Sequence, residues 1–222
     1  YKFNKNPIIN KNLYDEIKIL KNKFKIKIPT ITADFFMEDN YVENRKLKDY
    51  QKFFVFLEGC SKNDIQTIVL PLVDNSSINN NKDSLKILIE DFKSIKKTFR
   101  KLKIDVAFET DLNPEQNIEF IKKLNSSIFG INYDIGNSIG YGFNYRTEIN
   151  KLVKLIKNVH IKNKKNNKTC SLFTGEGNID ERIQYLLRKG YKKNFVFQSA
   201  RVKKKHFAIM KDYFIENGAI FI

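Results

Sequence analysis

The stretch at 129–138 reads FGINYDIGNS. Phe129 and Ile131 alternate with Gly130 and Asn132 before Tyr133, which predicts a buried strand with Asp134 at its end. An acid placed there is expensive unless something positive meets it. The arrangement recurs on both sides. Upstream, DVAFETD at 105–111 carries Glu109 after four residues of strand character, and downstream NVHIK at 158–162 carries His160 within a strand. Glu109, Asp134 and His160 are therefore expected to act as one set.

Working outward, apolar runs predict strands at 26–36, 67–74, 104–109, 129–134, 158–162 and 194–198. Helical spacing predicts helices at about 11–24, 47–60, 84–101, 114–124, 147–156, 180–189 and 203–217, with 162–168, KNKKNNK, as a solvated loop. The run at 67–74, TIVLPLVD, is apolar almost throughout, as in a strand covered on both faces. Strands separated by helices, without hairpin signals, predict parallel βαβ units. A doubly wound sheet usually carries a glycine-rich phosphate loop after its first strand, and none is present. A parallel barrel instead gathers its strand ends on one face, where active sites are built. The expected fold class is thus α/β, a parallel (β/α) TIM barrel in one domain over 1–222. Six strands fall short of eight and the chain opens at Tyr1 without a methionine. The barrel is therefore expected to lack its first one or two β/α units.

The formal net charge is +16. Lysine is spread over the expected outer helix faces instead of forming a stripe interleaved with aromatics, so nucleic acid is not the expected partner. Such a field favours an anionic substrate, for example a sugar phosphate. Cys60 and Cys170 stand far apart with no CxxC partner, which excludes a disulfide framework and a structural zinc site and fits a reducing cytoplasm. No apolar run reaches the roughly 18–20 residues of a membrane span, and no membrane partner is expected.

Two carboxylates and an imidazole suit one divalent ion, Mn²⁺, Mg²⁺, Co²⁺ or Zn²⁺. The last strand end carries Gln198, whose carbonyl oxygen can also coordinate but takes no proton. Open coordination positions would let the ion polarise a substrate carbonyl.

FETDL around Glu109, NYDIGNS around Asp134, VHIKN around His160, TGEGNID around Glu176 and FVFQSAR around Gln198 occur in that order, preceded by TADFFM at 32–37 and LPLVDNSSI at 70–78. In these stretches the chain resembles the xylose isomerase-like TIM-barrel superfamily, in its sugar phosphate isomerase/epimerase branch. The resemblance implies that Glu109, Asp134, His160 and Gln198 hold one divalent metal. It implies substrate contacts from Asn137, Ser138, Lys162 and Arg201. Asp74 and Asn75 are read as either helix caps or substrate contacts. Family epimerases pair two metal-linked glutamates as acid and base, and Gln198 replaces one. Glu109 remains as a base, with Glu176 of the GEG loop as a second carboxylate. A trinuclear nuclease site would need more histidines than His160 and His206.

The expected activity is a cytoplasmic, metal-dependent isomerase or epimerase acting on a sugar or sugar phosphate through an enediolate-like intermediate. A dehydratase-type lyase and a non-catalytic sugar-binding barrel are the alternatives. The sequence neither requires nor forbids a homo-oligomer.

Overall fold

The computed structural model describes residues 6–38, 51–79 and 81–198. Arg201, His206 and the helix expected at 203–217 lie outside them. In chain order the elements are α1 (Tyr14–Phe24), β1 (Thr30–Thr32), α2 (Phe35–Glu38), α3 (Gln51–Lys62), β2 (Thr67–Leu72), α4 (Lys82–Leu102), β3 (Asp105–Thr110) and α5 (Pro114–Leu124). They continue with β4 (Phe129–Asp134), α6 (Ile135–Gly140), α7 (Tyr145–Leu152), β5 (Ile156–Ile161), β6 (Asn163–Lys165), β7 (Lys168–Cys170), α8 (Ile179–Arg188) and β8 (Asn194–Phe197). Among the described residues six strands form one sheet in the order β1-β2-β3-β4-β5-β8, and every pairing in it is parallel. This is a partial (β/α) barrel with helices outside it, as the alternation predicts.

Continuous burial explains why these strands are central. All six residues of β2, β4 and β5 are buried. The core lies between sheet and helices and is rich in phenylalanine. Phe108 of β3 packs edge-on against Phe92 of α4 and Phe120 of α5, each with ring centroids 5.0 Å apart. Edge-to-face pairs of this kind add to the area that they bury. Local signals fix the helix ends. Asn113 and Gln116 form a reciprocal capping box with Pro114 at the first position of α5, and Asn125 closes that helix at φ +48°.

The largest differences from the sequence reading are two boundaries and one loop. The first strand is confined to Thr30–Thr32, because the chain turns into α2 at Phe35. The helix expected at 147–156 stops at Leu152, so that β5 can begin at Ile156. The lysine-rich loop at 162–168 is largely a hairpin, β6 pairing antiparallel with β7. Asn166 and Asn167 supply φ of +49° and +59° at its two-residue turn. Two consecutive positive φ values belong to the type I′ turn, which asparagine tolerates.

Candidate metal centre

The parallel register brings the carboxyl ends of β3, β4 and β5 side by side, with Asp134 directly opposite His160. One ligand atom from each of Glu109, Asp134 and His160 lies within 4.8 Å of the others, and all three residues are buried. His160 Nδ1 is 3.2 Å from Glu109 Oε2 and 3.7 Å from Asp134 Oδ2.

Asp134 divides its two oxygens between two tasks. Oδ1 caps α6 by accepting from the Asn137 backbone N–H at 2.9 Å. Oδ2 is enclosed and accepts no hydrogen bond of ordinary geometry. Its charge partners are the Lys162 ammonium at 2.6 Å and the His160 ring. A buried carboxylate oxygen held only by cationic neighbours, beside an imidazole nitrogen and a second carboxylate, is an arrangement that a divalent cation also satisfies. The mixture of hard oxygens with one nitrogen fits Mn²⁺, Mg²⁺, Co²⁺ or Zn²⁺.

Glu109 is held from both sides by amides. Asn132 Nδ2 donates to Oε2 and Asn137 Nδ2 donates to Oε1, both at 2.8 Å. Asn132 Nδ2 also lies 3.0 Å from His160 Nδ1, while Asn132 Oδ1 accepts from Asn158 Nδ2 at 2.7 Å. The sequence reading missed Asn132 and Asn158, although the period of two in β4 puts Asn132 on the face of Asp134 and that in β5 puts Asn158 on the face of His160.

Charge in this enclosure is strongly coupled. Burial works against a charged imidazole, but Asp134 and Glu109 outweigh it and lift His160 to about 9. Burial alone would raise Asp134, yet His160 and Lys162 hold its carboxyl below the usual range. Without a metal, the proton on His160 supplies positive charge where the ion would. Tyr141, next to α6, lines the same cavity as Glu109, Asp134 and Asn137. Burial pushes its phenol up to about 12, aided by the carboxylates of Asp111, Asp74, Glu109 and Asp134. Its hydroxyl therefore stays protonated among the acids.

The other expected site residues separate into groups. Asn137 and Lys162 belong to the centre, through Glu109 and Asp134. Ser138 is buried on the wall of the same cavity, with its hydroxyl bonded to Glu148, Tyr133 and Arg182. Asp74 and Asn75 sit exposed in a short 3-10 turn after β2, and the charge of Asp74 reaches Tyr141. Glu176 is exposed, and its carboxylate accepts from the Asn166 N–H of the hairpin turn. Gln198 follows β8 with its side chain exposed, and its N–H donates to Ile161 O at 3.0 Å.

No protein-family model and no curated protein sequence matches the chain. Solved structures do. A xylose isomerase domain protein from Planctomyces limnophilus superposes with a TM-score of 0.78 at 16% identity, over 96% of this chain and 84% of that one. A 3-keto-D-glucoside 4-epimerase, YcjR, from E. coli gives 0.70 at 13% identity, over 94% and 84%. The IOLI protein with a binding zinc atom gives 0.65 at 16% identity, over 90% and 77%. At these identities the likeness establishes the fold alone, the (β/α) barrel that these structures share.

Proposed function

We propose that this chain, folded as a xylose isomerase-like barrel, is a single-domain, metal-dependent isomerase or epimerase that moves a proton on the carbon beside a sugar carbonyl. The observation that carries the reading is the convergence of Glu109, Asp134 and His160 at the ends of three neighbouring strands, with ligand atoms within 4.8 Å. A bound divalent ion would supply Lewis-acid polarisation of the carbonyl, which makes the adjacent C–H more acidic. Glu109 is the base, its carboxylate kept in position by the Asn132 and Asn137 amides. Lys162 and the neutral Tyr141 hydroxyl orient substrate oxygens, a role supported by their positions beside Asp134 and on the cavity wall. The substrate is a sugar or sugar phosphate, and the free thiols of Cys60 and Cys170 suit work in the cytoplasm.

A dehydratase-type lyase is the second reading. Gln198 favours it, because an amide takes no proton and one base suffices for eliminating a hydroxyl. Metal analysis joined to NMR in D₂O tests both. Solvent deuterium entering the carbon beside the carbonyl, in wild type and not in Glu109→Gln, supports the isomerase. Loss of water from the sugar supports the lyase. Purified protein that binds no divalent ion overturns both.

A further inference from the structure

The other end of the barrel holds a second polar centre. Ile131 faces Ile156 and Asn132 faces Asn158, so β5 carries one residue, Lys157, with no counterpart on β4. A bulge of this kind re-aims the extra side chain. Lys157 turns towards Gly130, where a Cβ would come within 2.7 Å of its Cγ and 2.9 Å of its Cδ. Glycine at 130 thus leaves the channel through which the lysine stem runs. The Lys157 side chain is 9% exposed, and its Nζ reaches Asp105 Oδ2 at 2.6 Å.

Asp105 opens β3, while Gln66, Lys193 and Asn194 stand at the starts of β2 and β8. With Lys103 and Lys157 they line a cavity of ≈ 450 Å³ at the amino ends of the strands. Three lysines and one carboxylate thus line it, and the Asp105 side chain is 39% exposed. The crowding is felt: burial lowers the proton affinity of Lys193, Lys157 lowers it further, and Asp105 only partly offsets them. Excess like charge around a concavity is relieved by a bound counter-ion.

We propose that this floor cavity is a binding site for a small oxyanion of the phosphate class. Lys157 is its buried anchor and Lys103 and Lys193 are its outer cations, with the Gln66 and Asn194 amides available as neutral donors. By residue exposure Lys103 and Lys193 stand at the surface, Lys193 only partly covered, so glutamine at either position removes a charge without opening the core.

The test is calorimetric titration of the full chain with inorganic phosphate, in EDTA and at an ionic strength held constant with sodium chloride. Wild type is expected to bind one phosphate saturably. Lys103→Gln and Lys193→Gln should each weaken binding about tenfold, the scale of one lost charge-assisted hydrogen bond. Glu109→Gln, at the far end of the barrel, should leave it unchanged. Absence of saturable binding, equal affinity in the Lys103→Gln/Lys193→Gln double variant, or loss of binding in Glu109→Gln overturns the assignment.

Discussion

Lys162 Nζ stands 2.6 Å from Asp134 Oδ2, and the lysine stem crosses Gly136 so closely that a Cβ there would strike its Cγ. The ammonium therefore competes with a divalent cation for the same oxygen. Lys162→Met should bind Mn²⁺ at least about tenfold more tightly, since like charges a few ångströms apart repel by more than that even in a polar protein environment. Calorimetry checks this. Weaker binding would mean that Lys162 orients Asp134 more than it competes.

Gly136→Ala forces the Lys162 stem aside. Overpacking of this sort costs about 1–3 kcal/mol, so the denaturant midpoint should fall while the unfolding slope stays constant.

His160, lifted to about 9, binds its proton more tightly in the fold than in an unfolded chain, where about 6.5 applies. Protonation therefore stabilises the metal-free protein fully below about pH 6.5, and the contribution is lost as pH rises through 9. Linkage bounds it at about 3 kcal/mol. Urea unfolding in EDTA at pH 6 and pH 9.5 should show the loss in wild type and a smaller one in His160→Gln. Equal losses would refute the assignment.

Asn132→Leu removes the donor to Glu109 Oε2 and strips Asn158 Nδ2 of its acceptor. Metal affinity should fall about 10- to 100-fold, the usual cost of losing a group that orients a ligand. Stability should fall by about 1–3 kcal/mol for the stranded amide. An unchanged metal affinity would limit Asn132 to a packing role.

Tyr141→Phe keeps the ring and deletes the hydroxyl that stands among the acids. The expected outcome is a kcat/KM about tenfold lower with metal affinity unchanged, since one substrate hydrogen bond is lost. Equal kinetics would place the hydroxyl outside the substrate's reach.

The parallel barrel was legible because strand and helix patterns alternate along the chain and because β2, buried throughout, is written as the apolar run TIVLPL. The three ligand residues were legible because each stands in or at the end of a short strand pattern, where a buried acid or imidazole has few other uses. What escaped was chemistry set by a neighbour in space. Ser138 adjoins Asn137 in sequence and lines the same cavity, but its hydroxyl is taken up by Glu148 and Arg182. Glu176 lies between two glycines that suggest a mobile catalytic loop, yet it secures the hairpin. The hairpin itself was masked by its lysines, and only the positive φ of Asn166 and Asn167 explains it.

The consecutive pairing of β1 through β5 also bears on how the molecule is made. Each of these strands pairs with the one before it in the chain, a sequential order that needs few long loop closures. Glu109, Asp134 and His160 belong to three successive strands, and the last of them emerges well before β8. A divalent ion bound there would tie together three strands that all precede β8 in the chain, and the centre would then act as an early clamp on assembly.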